Sequence, residues 1–106
     1  MNGDALRGHL EFLLLAALLE GDGHGYALIE RLRRRSDGVL NLGEGSVYPA
    51  LHRLEAGGFA RSTWEPGDRR RKRVYELTQT GREKLKAETQ SWGELVRTVE
   101  LVLAAS

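Results

Sequence analysis

The chain has no cysteine among its 106 residues, which excludes a disulfide framework and any thiolate-held metal site. Its three histidines, His9, His24 and His52, do not have the spacing of a metal motif. Ser46 sits in a Gly-Glu-Gly-Ser-Val context that is not a nucleophile elbow. The glycine-rich connector Glu20 to Gly25 has neither a preceding strand nor a following Lys-Ser or Lys-Thr, so it is no phosphate loop. No enzyme, no metal and no cofactor is expected. Long apolar runs are also missing: the longest, Phe12 to Leu19, has eight residues, against the roughly 20 needed to cross a bilayer. The start lacks the basic region and cleavage site of a signal peptide. The expectation is a soluble, cytoplasmic protein without a membrane partner.

What is present is a segregated charge. The net value is only +1, yet residues 1–30 hold one base against five acids (−4), residues 31–73 hold eleven bases against five acids (+6), and residues 74–106 stand at −1. A near-neutral chain can therefore show one basic face, the footprint expected where phosphates dock. A content of 41% hydrophobic and 29% charged residues fits one globular domain. Its core is small, and a second copy would enlarge it.

Taken in order, Leu6 to Leu19 reads as a first helix that is apolar nearly all round and must be covered on several sides, partly by a second copy through Leu10 and Leu14. Tyr26 to Arg35 forms a second helix with Leu28, Ile29 and Leu32 inward and Arg31, Arg33, Arg34 and Arg35 outward. Ser36-Asp37-Gly38 makes a turn, and Val39 to Leu42 alternates enough for a very short strand.

The stretch Gly45 to Gly58 then reads as a short helix, with Ser46 as its N-cap, Pro49 in the first turn and Gly57-Gly58 as its close. At 3.6 residues per turn Val47, Ala50, Leu51 and Leu54 form an apolar stripe. Ser46, Tyr48, Pro49, His52 and Arg53 fall in the opposite arc, with no acid there before Glu55. Hydrogen-bonding, stacking and cationic groups suit a polyanion, and two helices joined by a short connection form helix-turn-helix organisation.

Phe59 to Trp64 and Arg73 to Leu77 are the two strands of a hairpin around Pro66-Gly67-Asp68. Arg69, Arg70, Arg71, Lys72 and Arg73 place five consecutive cations where the chain turns back. The natural counter-charge of such a run is a nucleic-acid backbone. Thr78 or Thr80 begins a last helix in which Leu85, Trp92 and Val99 recur every seven residues, with Leu95, Val96, Val102 and Leu103 beside them. That period describes a coiled-coil seam, which needs a partner across a two-fold axis.

Together these segments resemble the PadR-like winged-helix transcriptional regulators in their short form. The matching segments are His24-Gly25-Tyr26, the run from Gly45 to Glu55 with Gly58 after it, and Tyr75-Glu76-Leu77-Thr78 followed by Gly81 behind a basic wing. Val74, Glu76 and the Gly43-Glu44 pair depart from the family pattern. The resemblance implies a mainly α fold with a small β-hairpin: a winged helix-turn-helix over residues 1–77 and a C-terminal dimerisation helix over residues 78–106. It further implies a homodimer on palindromic double-stranded DNA. The Ser46 helix would enter the major groove with Ser46, Tyr48, Pro49 and Arg53 on DNA, while the Arg69 to Lys72 wing follows the flanking backbone or minor groove. Repression is implied by the family, as is release by a planar hydrophobic small molecule in a pore at the dimer centre, where Trp92 matches the lining aromatic. The competing reading is a winged helix used as a protein-interaction module. Such a module would expose an apolar patch on its second helix, whereas this one exposes Tyr48, His52 and Arg53 beside a cationic wing.

Overall fold

A computed structural model describes residues 8–67 and 72–105. Among these the chain forms four helices and one antiparallel hairpin: α1 (Leu10–Glu20), α2 (Gly25–Arg35), α3 (Glu44–Ala56), β1 (Ala60–Trp64), β2 (Arg73–Leu77) and α4 (Gln79–Ala104). None of the described helices is long and apolar enough to cross a membrane.

α1 is the centre. It touches α2, α3, α4 and β2, and this explains why its sequence shows no polar face. Leu14 and Leu15 are 0% exposed, with Leu10, Ala17 and Leu18 nearly so. The same chain supplies the cover on the inner side, while Leu19 is left 51% exposed and Ala16 also faces outward. Leu10 and Leu14, expected at a dimer contact, are buried in the chain's own core, as is Leu85 at 7% exposure. A fully covered side chain has no surface left to lend to a second copy.

α2 begins on His24, whose Nδ1 accepts from the Ala27 N–H at 3.2 Å. It ends in a turn where Asp37 (φ 52°) and Gly38 (φ 81°) take the left-handed conformation. The expected strand at Val39 to Leu42 does not form. The alternation is real, since Leu40 is buried and Leu42 packs on the core while Val39 is exposed. Among the described residues no strand lies alongside to pair with it. The wing's extra rung comes from the α1–α2 connector: Gly23 and Tyr75 exchange both backbone bonds, at 3.1 and 2.9 Å.

α3 buries Val47, Ala50, Leu51 and Leu54, the stripe expected from helical spacing. Its start differs. Gly43 is the N-cap and its carbonyl receives the N–H groups of Ser46 and Val47, so Ser46 lies inside the first turn and Pro49 in the second. Pro49 forgoes the bond its N–H would have made to the Gly45 carbonyl, close to the helix start where few such bonds are at stake. The C-terminus closes as a Schellman motif, with Gly58 (φ 80°) donating to the Glu55 carbonyl and Phe59 to that of Leu54.

The hairpin pairs Ala60 with Leu77 through to Trp64 with Arg73, and Pro66 and Gly67 lie in its turn. Glu76, a departure from the family pattern, sits opposite Arg61 and pairs with it at 2.6 Å. Thr78 caps α4, accepting from the Gly81 N–H at 3.0 Å and donating to the Gly58 carbonyl at 2.7 Å. One hydroxyl thus ties the end of α3 to the start of α4. Gly81 permits the close approach of these two ends, because a Cβ there would overlap the Phe59 carbonyl oxygen.

Substituting Gly81 by Ala therefore lowers stability by at least about 2 kcal/mol. Gly93→Ala, whose Cβ meets nothing within 4 Å, raises it by up to about 1 kcal/mol through helix propensity. Thermal unfolding of the two variants checks both signs.

Candidate nucleic-acid interface

The outer arc of α3 carries Ser46, Pro49, His52 and Arg53, all exposed, and Tyr48, half-buried. Tyr48 does not point straight to solvent. A Cβ on Gly25 would lie 2.6 Å from its Cζ and 2.8 Å from its hydroxyl oxygen, so the ring lies flush against the first turn of α2. Two of the segments that carry the resemblance, His24-Gly25-Tyr26 and the run containing Tyr48-Pro49, are in contact. Glycine at position 25 keeps the helix-turn-helix joint tight, and the rim of the Tyr48 ring is what remains for a ligand.

Arg53 has a partner within the chain. Its Nε donates to Glu11 Oε1 at 3.1 Å, which draws its stem toward the start of α1. Such an exposed pair is worth at most about 1 kcal/mol, so a phosphate can replace the carboxylate at little cost.

Beside this arc an open groove of about 630 Å³ runs between the helix and the hairpin. Tyr48 and His52 line it on the helix side and Trp64, Lys72 and Arg73 on the wing side, with Tyr75 among the lining. Tyr75 is 1% exposed. Burial pushes its phenol pKa up, Glu55 adds to this, and Arg73 opposes it. The Arg73 guanidinium stacks over the Trp64 ring, 5.0 Å from its centroid. Lys72 is exposed beside it. Arg69, Arg70 and Arg71 lie outside the described residues.

The arginines of α2 are more occupied than their run suggests. Arg31 does not point outward: its Nη1 donates to the carbonyls of Ala17 at 2.8 Å and Gly21 at 2.6 Å, satisfying the last turn of α1. Arg33 pairs with Glu30 at 2.9 Å. That hydrogen bond lowers the Glu30 pKa and raises the arginine's. Arg35 meets Glu20 at 3.4 Å. Among the described residues, Lys72 and Arg73 of the hairpin are the cations that line the groove beside α3. A sequence shows cations in a row but not which carbonyls or carboxylates fold back onto them.

α4 has a different surface. After Leu85 none of its described residues is buried, and Trp92, Leu95, Val96 and Val99 form an exposed stripe that Val102 and Leu103 continue. Trp92, 45% exposed, meets the edge of the His9 ring, with centroids 5.3 Å apart at 71°.

A helix-turn-helix whose second helix stands beside a two-stranded wing is a winged helix-turn-helix. The family model described as the transcriptional regulator PadR-like family matches residues 14–87. The chain belongs to this family of transcriptional regulators. It is 33% identical over 93 residues to Transcriptional regulator Rv3488 of Mycobacterium tuberculosis, an alignment that covers 88% of this chain and 84% of that one. Among solved structures, a transcriptional regulator from Clostridium thermocellum superposes with a TM-score of 0.83 at 30% identity, over 92% of this chain and 94% of the other. A PadR family regulator from Clostridium difficile gives 0.77 at 27% identity, over 90% and 98%.

Replacing Arg31 by Ala leaves the α1 carbonyls without their donor and should cost about 2 kcal/mol in urea unfolding. Arg31→Lys should recover only part, since one ammonium cannot reproduce the planar fork. Unchanged stability in the alanine variant would assign the residue to solvent.

Proposed function

We propose that this chain is a homodimeric, sequence-specific DNA-binding regulator that represses by occupying a palindromic operator and is released by a small planar hydrophobic effector or another signal. The observation that carries the reading is α3 itself. It buries a full apolar stripe and turns Ser46, Pro49, His52, Arg53 and the edge of Tyr48 outward beside a cationic wing. Short hydrogen-bonding side chains on a helix fit the floor of a major groove, and Arg53 can reach a phosphate or a guanine edge. The run Arg69 to Arg73 supplies sequence-independent attraction to the backbone.

Dimerisation rests on α4. A long helical segment with Trp92, Leu95, Val96 and Val99 in water is marginal alone and stable once that stripe is covered. An identical helix offers the complementary face, with a two-fold axis that a palindromic site matches. Release by an effector beside Trp92 rests on the family resemblance and on the ring's open edge next to His9.

Fluorescence anisotropy with duplex from upstream of the protein's own gene, compared with random duplex at two salt concentrations, tests the DNA assignment. Arg70→Ala should weaken both duplexes alike and reduce the salt slope by about 1. Tyr48→Phe keeps the packing on Gly25 and removes only the hydroxyl, so it should weaken the cognate duplex more than the random one. Equal losses for both variants on both duplexes refute this division. In sedimentation, Val99→Glu should yield the mass of one chain and a far weaker cognate complex; a dimer that persists contradicts the α4 interface.

A further inference from the structure

The groove between α3 and the hairpin holds more aromatic surface than contact with a phosphate backbone requires. Tyr26 on α2 and Trp64 on β1 line it while 57% and 51% exposed, and neither belongs to the core. Trp64 is already stacked by the Arg73 guanidinium. The Arg73 Nε is itself buried and, among the described residues, has no hydrogen-bond acceptor. A buried donor without an acceptor is uncommon in a native fold and marks a place where an anion can bind. Lys72, His24 and His52 add donors around the same space, and among the described residues Glu44 is the one lining carboxylate. The volume of about 630 Å³ falls within the range of small-molecule sites, roughly 300 to 1,000 Å³.

We propose that this groove binds a planar aromatic anion, its ring against Trp64 and Tyr26 and its anionic group on Arg73 and Lys72, and that the bound anion excludes DNA. Ring stacking and a cation over a ring reinforce one another when both act on one ligand. The guanidinium fork matches a phosphate or a carboxylate equally well. The site is separate from Trp92, which lines a different groove between the start of α1 and the middle of α4. Exclusion follows because Tyr48, His52 and Lys72 border the groove and also belong to the DNA-facing surface. That clause rests on the DNA-binding reading; anion binding does not. Two sources carry the chemistry, a nucleoside monophosphate and an aromatic carboxylate.

The two tryptophans, Trp64 and Trp92, give two indole N–H signals in a ¹H–¹⁵N correlation spectrum, assigned by the loss of one in Trp64→Phe. The probes are adenosine 5′-monophosphate and benzoate, with adenosine (ring without anion) and cyclohexanecarboxylate (anion without ring) as controls. The expected result is a saturable shift of the Trp64 signal by one or both probes, the Trp92 signal staying in place, with at least about tenfold weaker response to the controls. Which probe binds more tightly identifies the source. Arg73→Gln and, independently, the surface change Tyr26→Ala should each weaken binding severalfold with Trp64 still present as reporter. No shift up to about 10 mM, equal response to the controls, movement of Trp92 instead, or indifference to both substitutions overturns the site. Displacement of labelled duplex by the bound probe supports the exclusion clause, and a duplex that stays bound overturns that clause. Protein that shifts with the probe yet binds no duplex in any condition overturns the DNA reading and leaves the anion site standing.

Discussion

α1 imposes the constraint from which the rest of the fold follows. A helix whose circumference is almost wholly apolar is stable in water only when its inner faces are enclosed, and at about 25 cal/mol per Å² its buried leucines Leu10, Leu14, Leu15 and Leu18 contribute a substantial part of the core of so small a domain. Because α2, α3, α4 and β2 all rest on it, α3 and the wing are fixed relative to one another through a shared support as well as through direct contact, where Ser62 on β1 donates to the Glu55 carboxylate on α3. The groove between them persists for the same reason. Arg31 completes the enclosure by satisfying the carbonyls at the end of α1 that no backbone donor reaches.

The side chains that mark the family in the sequence act mainly at joints. Gly25 admits the Tyr48 ring, and Gly81 admits the Phe59 carbonyl. Gly58 takes the left-handed turn that ends α3, and its carbonyl receives the Thr78 hydroxyl. Through that last bond the end of α3 and the start of α4 share a single anchor. In the proposed dimer, a change in how two α4 helices cross would be transmitted to the spacing of two α3 helices, so a ligand at the proposed seam and one beside the wing would act on DNA by different physical routes, the first through geometry and the second through occupancy.

Much of this was legible in the chain because periodicity reports burial faithfully. The stripe Val47, Ala50, Leu51 and Leu54, the two hairpin strands and a Thr cap before the last helix follow from spacing and residue type. Periodicity fails where it must name the partner. The alternation of Val39 to Leu42 is a burial pattern without a neighbouring strand, and the rung it suggested is supplied by Gly23. Leu10, Leu14 and Leu85 carry the apolar signal of a seam and of a core equally, and the close packing of α1 decides for the core. Ser46 is a good capping residue by type, but Gly43 occupies the cap and Ser46 stands three residues inside. Cations follow the same logic: Arg31 reads as one of a solvent-facing row until its carbonyl partners are known.

The most direct test of a dimeric winged-helix regulator is hydroxyl-radical footprinting of the protein on DNA upstream of its own gene. Two protected half-sites should appear, related by a dyad, with centres about 10 base pairs or a multiple apart, since each α3 must meet a major groove on one face of the duplex. A single protected patch without a dyad, or no protection at low ionic strength, would contradict it.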